Sequence, residues 1–256
     1  MRSFTDDMEA QGYFKKWLGN AERRGVPSDV VAEIARRHAI TPESFAILEE
    51  TEEIRDPHGK SFFLLAPGTN GDDARKATLM TYVLNAGTDY GKAGRRPADF
   101  AETPYSAAEI TRIINRQKAN RWSYSRDVRF VHRNGGRLVT TPNGILMGLG
   151  GNRMQRQFSQ RGGTTWGDIF MVNMDMDKVA DPAEQLHQIV RSGHAWHKLD
   201  LDRVLHHEER HCQQWAAKGY TGMLRDYSRE LFRELVFRKT NRLEEDAGLS
   251  DGGYKA

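Results

Sequence analysis

In His207-Glu208-Glu209-Arg210-His211, two imidazoles stand four residues apart, with a carboxylate directly after the first. Positions four apart on a helix share a face, so His207 and His211 can offer two nitrogens to one Zn²⁺ while Glu208, one step round, reaches a water on that metal. Such a set unites a metal, a nucleophile source and a general base, which are the parts hydrolysis needs. The helix is legible from the apolar stripe Leu201, Val204, Leu205, Cys212, Trp215 and Ala216. Glu208 falls inside that stripe, where burying an uncompensated carboxylate is costly, and a nearby divalent cation removes the conflict. The competing reading is a structural helix that matches the pattern by chance.

A catalytic zinc takes three protein ligands and keeps a fourth position open. Downstream, Gly219-Tyr220-Thr221-Gly222 breaks the helix, and Leu224, Tyr227, Leu231 and Leu235 predict a second helix that folds back on the first. Its end delivers Asn241-Arg242-Leu243-Glu244-Glu245-Asp246-Ala247-Gly248, a short acidic turn closed by glycine. Glu244 is the expected third ligand. Asn241 followed three residues later by Glu244 also fits a capping box, in which the carboxylate only returns to the N-cap amide. Glu245, a histidine, or no third ligand are the alternatives. Tyr220 and Tyr227 are candidate oxyanion donors, and spacing does not select between them.

Taken together, His207-Glu208-x-x-His211, Gln214-Trp215-Ala216 and Asn241-x-x-Glu244-x-x-Ala247 resemble the compact zincin-like domains of the gluzincin type found in bacterial secretion-system effectors and polymorphic toxins. The resemblance covers the chain from about Thr164 onward, and the run Thr164 to Val172 is similar to the strand that precedes the active helix in that family. It implies metallopeptidase-like hydrolysis of a peptide or protein substrate.

Composition narrows the remaining classes. With 256 residues the chain has room for one large or two small domains. Thirty-eight basic against thirty-five acidic residues leave +3, too balanced to mark the whole chain as a nucleic-acid binder. No apolar run is long enough to span a bilayer, and the first residues lack the apolar core of a signal peptide. The expectation is a cytoplasmic protein, or one exported without a cleaved signal. Cys212 is the only cysteine, which excludes an internal disulfide, and its place in the apolar stripe predicts packing.

The elements that must position this chemistry predict an α+β protein: a mainly helical region over 1–119, then a zincin-like domain over 120–256. Helices are expected at 6–18, 28–38, 41–50, 72–85 and 106–120, a strand at 61–65, and a linker at 88–101. Thr41-Pro42 and Ser106-x-x-Glu109 mark two helix starts. Residues 128–132, 137–141 and 145–149 read as an antiparallel meander, to which 169–172 adds a strand. A sheet before the His207 helix would let an extended substrate lie along an edge strand. The helical half is a candidate for inhibiting, delivering or completing the enzyme.

Other features are weaker. Gly68-Thr69-Asn70-Gly71 reads as a helix-starting turn rather than an anion loop, His194-Ala195-Trp196-His197 as a surface loop, and Trp17-Leu18-Gly19 as a helix-end turn. A rival function comes from Arg112, Arg116, Lys118, Arg121, Arg126, Arg129, Arg133 and Arg137, interleaved with Trp122, Tyr124 and Phe130 and followed by Arg153, Arg156 and Arg161. Cations with aromatics can hold nucleic acid, although a solvated basic face is the simpler reading. A third class is an inactive metal-binding scaffold for protein interaction.

Overall fold

Successive residues of a strand point to opposite faces, and in this protein both faces of the sheet are covered by apolar side chains. The computed structural model describes residues 12–88, 105–151, 163–174, 181–195, 199–237 and 242–248. The part of the expected 6–18 helix before residue 12, the linker beyond Thr88, and Arg153, Arg156, Arg161, Trp196, His197 and Asn241 lie outside them. The fold class is α+β. Strands β1 (Glu52–Arg55), β2 (Ser61–Leu64), β3 (Arg137–Thr140), β4 (Leu146–Leu149), β5 (Gly163–Trp166) and β6 (Ile169–Val172) form one sheet in the order β1-β2-β3-β4-β6-β5. Its pairings are antiparallel except β4 with β6.

Alternation divides each central strand between two cores. Phe63, Leu138, Leu146, Ile169 and Met171 enter the first core. They meet helices α1 (Tyr13–Arg23), α2 (Ser28–His38), α3 (Ala46–Glu49), α4 (Gly71–Leu84), α5 (Ala107–Ala119) and α6 (Val128–Arg133). Phe62, Leu64, Val139, Met147, Phe170 and Val172 enter the second, against α7 (Pro182–Ser192) and α8 (Leu201–Phe237). Burial on both faces explains why β2, β4 and β6 read as nearly unbroken apolar runs. Gly148 leaves room on β4 for Leu138 and Met171, whose side chains a Cβ would meet.

Four expectations need correction. Trp17-Leu18-Gly19 lies inside α1 rather than at a helix end, with Trp17 fully buried. Residues 128–132 are helical rather than extended: Val128, Val131 and His132 are buried at helical spacing, whereas Phe130, which alternation would place beside Val128, is 47% exposed. The meander therefore reduces to the β3–β4 hairpin, and β6 joins β4 in parallel. The division at 119/120 does not coincide with a break in the sheet, because β2 from the helical half pairs with β3. Strand β1, Glu-Glu-Ile-Arg, offers one apolar residue and carries the charges typical of a sheet edge, so no strand was expected there.

Local start signals behave as expected. Thr41 and Ser44 form a reciprocal capping box before Pro42, Ser106 Oγ accepts from the Glu109 amide at 3.1 Å, and Asn70 Oδ1 accepts from the Asp73 amide at 2.9 Å. The last pair makes the Gly68–Gly71 segment a helix-starting turn. Among the described residues, no helix is long and apolar enough to cross a membrane.

Candidate metal centre

Helix α8 carries the motif, and Gly219, at φ 67° and ψ 168°, interrupts it where the sequence predicts a break. That backbone region is open to glycine and strained for other residues. Beyond the kink, Met223, Leu224 and Tyr227 pack with Trp215 and with Leu243 of α9 (Arg242–Asp246). Glu230 accepts a hydrogen bond from the Arg242 amide at 3.1 Å, and Gly248, at φ 72°, follows the helix end. The short acidic helix is thereby laid against the motif helix.

His207 and His211 point their Nε2 atoms to a common place 3.1 Å apart. Glu244 Oε2 lies 3.3 Å from His207 Nε2 and 3.5 Å from His211 Nε2. Four ligands at zinc bond lengths of roughly 2.0–2.1 Å are separated by about 3.3–3.4 Å along the edges of a tetrahedron. The three observed separations bracket that edge, so one ion fits between these atoms without moving an element. Glu244, and not Glu245, supplies the carboxylate of this group.

The far side of each imidazole is also held. His207 Nδ1 is 3.0 Å from the Ala247 carbonyl, and His211 Nδ1 is 2.9 Å from Gln214 Oε1. Both partners are acceptors, so each ring keeps a proton on Nδ1, and loss of the proton on the inward side would leave an Nε2 lone pair aimed at the common point, the tautomer a metal requires. Gln214 Nε2 donates in turn to the Leu243 carbonyl at 2.9 Å and to Asp246 Oδ2 at 2.7 Å. One amide therefore orients a histidine and fastens the helix that brings Glu244.

Electrostatics favour a cation at this point. Burial opposes a proton on His211, but the Glu244 and Glu208 carboxylates outweigh it and raise its pKa to about 9. Burial likewise opposes charge on Glu244, yet hydrogen bonds from His207 and His211 hold it well below the usual carboxylate range. Both shifts express one interaction: without metal, a proton shared with the histidines neutralises the carboxylate.

Glu208 is 4% exposed and accepts a hydrogen bond from Thr165 Oγ1 at 2.5 Å. Thr165 belongs to β5, the outer strand beside β6, and its carbonyl accepts from Trp215 Nε1 at 3.0 Å. The motif helix and the sheet edge are thus joined beside the candidate base. Thr165, Gln214 as an orienting group and the Ala247 carbonyl were not assigned these roles from sequence.

The tyrosines lie in an aromatic cluster. The Tyr220 ring is 4.9 Å from Trp122 and 5.7 Å from Trp166, and the Arg126 guanidinium lies over it at 5.5 Å from the ring centroid. Tyr227 packs against Trp215, Met223 and Leu243. Cys212 is fully buried, with its thiol pushed well above the usual value by burial, which fits packing.

Glu209 faces the other way. It accepts from Arg112 Nη2 at 2.7 Å and Arg116 Nη1 at 2.8 Å, and Arg116 Nε lies 3.3 Å from Asp168. Two arginines of the basic run are therefore spent inside the protein rather than on a solvated face. Across known proteins, no family model, no curated protein and no solved structure matches this chain.

Proposed function

We propose that this chain is a zinc-dependent hydrolase acting on peptide bonds, with His207, His211 and Glu244 as ligands and Glu208 as general base. The observation that carries the reading is the convergence of two Nε2 atoms and a carboxylate oxygen at tetrahedral edge distances, with Glu208 on the same helix. A zinc ion supplies Lewis-acid polarisation of a carbonyl and acidifies a water. Glu208 takes the proton of the attacking water and passes it to the leaving amine. Thr165 fixes one carboxylate oxygen of Glu208 and so orients the carboxylate. β5 is the outer strand among the described strands and its Thr165 bonds Glu208, which supports an extended peptide as the substrate class.

The test separates ligand from base. Purified protein should carry about one zinc per chain, and a peptide library should yield new termini that disappear with a chelator and return with zinc. Glu208→Gln should keep the metal and lose cleavage by at least about a hundredfold, whereas Glu244→Gln should weaken metal binding itself. Absence of metal after zinc addition would falsify the site. Tight zinc with no cleavage of any library would leave a metal-bound interaction scaffold in its place.

A further inference from the structure

The basic run from Arg112 to Arg137 divides in the fold. Arg112 and Arg116 are spent on Glu209 inside the protein, and Arg137 Nη2 donates to the Leu65 carbonyl at 3.1 Å. Arg126, Arg129 and Arg133 instead stand on the exposed side of a helical stretch made by the π-helical turn Ser123–Asp127 and α6. Residues three, four and seven apart share a helix face, so these guanidiniums form one row with Phe130 inside it. Val128 and Val131, on the other side, are buried in the first core.

Phe130 is 47% exposed and Tyr220 37%, and among the described residues these are the large hydrophobic side chains most open to solvent. Lone apolar residues on a surface need no explanation, but these two belong to one patch. The Arg126 guanidinium lies 5.5 Å from the Tyr220 centroid and 5.4 Å from that of the half-buried Trp122, and Phe130 follows Arg126 by one helical turn. Carboxylates are also close. Asp127 pairs with Arg126 at 2.8 Å, Asp72 with Arg121 at 3.4 Å and Asp226 with Lys218 at 2.7 Å, while α9, which bears Glu245 and Asp246, reaches the same aromatic cluster through Leu243. No net surplus of charge is therefore invoked. What matters is placement: Arg129 and Arg133 flank Phe130 on the exposed side and have no ion-pair partner among the described residues. Residues 152–162, which follow Gly151 where it abuts the Val131 carbonyl, bring Arg153, Arg156 and Arg161 and no acidic residue in their sequence.

A solvated basic face accounts for the arginines and leaves the exposed rings unexplained. Cations at intervals of one helical turn, with flat rings among them, meet the two repeating features of a single-stranded polynucleotide, a phosphate and an unstacked base at each step. An acidic peptide uses the cations but not the rings, and a duplex keeps its base faces inside the stack. A bilayer surface asks for a broader apolar face than one phenyl ring and part of a tyrosine offer. We propose that the face made by Arg126, Arg129, Phe130, Arg133 and Tyr220 binds single-stranded nucleic acid, with the arginines on phosphates and the rings on bases. None of the residues that converge at the candidate metal centre belongs to it, so it stands apart from the hydrolytic reading.

The experiment titrates the full chain into labelled oligothymidylate and, in parallel, oligouridylate of about 20 nucleotides, following anisotropy at salt concentrations from about 50 to 200 mM. Saturable binding of either strand is expected, with a slope of about −2 for the logarithm of affinity against that of salt, the value for three phosphates neutralised on a single strand. Arg129→Gln combined with Arg133→Gln should bring the slope to about −0.7 and weaken binding at least about tenfold at the lowest salt. Phe130→Ala, at an exposed position that folding tolerates, should weaken binding roughly five- to a hundredfold with the slope unchanged, because a stacked base releases no counterion. The control pair Arg36→Gln and Arg191→Gln, exposed on α2 and α7, removes the same formal charge and should leave affinity within about twofold. Absence of binding at the lowest salt, equal weakening by the control pair, or a Phe130→Ala variant that binds as tightly as the parent chain would overturn the assignment. So would equal competition by polyglutamate, in favour of an acidic protein partner, or equal binding of a duplex, in favour of backbone contacts alone. Retention on phosphatidylserine vesicles without oligonucleotide binding would overturn it in favour of a membrane surface.

Discussion

On one side of α8, Glu209 meets Arg112 and Arg116, and Arg116 also reaches Asp168, which Asn120 Nδ2 holds at 2.7 Å and the Tyr124 hydroxyl at 3.1 Å. On the other side, adjacent residues of the same helix send His207 and His211 to Glu244. Both clusters are buried and both hold carboxylates, yet their composition differs in kind. The first sets two guanidiniums among three carboxylates, since Arg112 also holds Glu109 at two points, and each charge there has a bonded partner within the cluster. The second collects three Lewis bases whose atoms aim at one point. Burial of ionisable groups alone therefore does not distinguish the two clusters; the convergence of bases on one point does.

The sharpest way to break this comparison is to open the closed cluster. Burial opposes ionisation of Glu209, but Arg112 and Arg116 hold its carboxyl below the usual value; Asp168, by contrast, is raised by burial despite Arg116. Arg116→Met removes the guanidinium while keeping much of the length, leaving Asp168 with neutral partners and Glu209 with one arginine fewer. The expected cost is about 3–5 kcal/mol, read from denaturant unfolding, with zinc stoichiometry of the folded fraction unchanged. A loss below about 1 kcal/mol would mean that this network is not what holds α5 to α8. Loss of zinc from a fully folded variant would mean that the two clusters act as one.

The second prediction uses acidity. Without metal, His211 holds a proton up to about pH 9, because the nearby Glu244 and Glu208 carboxylates outweigh its burial. Metal must displace that proton. Apparent zinc affinity should therefore rise about tenfold per pH unit from roughly pH 7 to pH 9, then flatten, in competition titrations against a chelator of known affinity. The sign is fixed: a raised pKa on a ligand weakens metal binding below that pKa and has no effect above it. An affinity independent of pH across this interval would remove His211 from the ligand set.

How much of this was legible depended on whether the signal was carried by side-chain periodicity. The motif helix was, because Leu201, Val204, Leu205, Cys212 and Trp215 form one stripe and all are buried. Glu244 was, because an acidic turn closed by glycine stands out. The short runs were not: Val128, Phe130 and His132 alternate in type, and only the neighbouring α4 and β3 select the helical period for them. Arg112 and Arg116 belong to a run that reads as solvated, since charge says nothing of its partner until Glu209 and Asp168 arrive from distant segments. The Ala247 carbonyl is backbone and has no sequence signature. Nor does anything in Thr164-Thr165 reveal which hydroxyl will meet Glu208, forty-three positions away.

Gln214 offers the finest test, because it stands between the ligands and the fold. Its carbonyl oxygen faces His211 Nδ1, while its amide nitrogen reaches Leu243 and Asp246 on the helix that bears Glu244. Gln214→Leu keeps the approximate volume and removes all three hydrogen bonds, freeing the His211 ring to take the other tautomer and loosening α9. Zinc affinity should fall ten- to hundredfold, the range expected for an orienting partner, while the buried Arg112–Glu209–Arg116 cluster on the opposite side is untouched. Two readouts keep this distinct from general damage. Denaturant stability of the metal-free variant should change by far less than in Arg116→Met, and Gln214→Glu, which still accepts from Nδ1 but sets a carboxylate oxygen against Asp246 and the Leu243 carbonyl, should recover the affinity only in part. If Gln214→Leu binds zinc as tightly as the parent chain, the imidazoles are oriented by the backbone of α8 alone, and the convergence at Glu244 owes nothing to this amide.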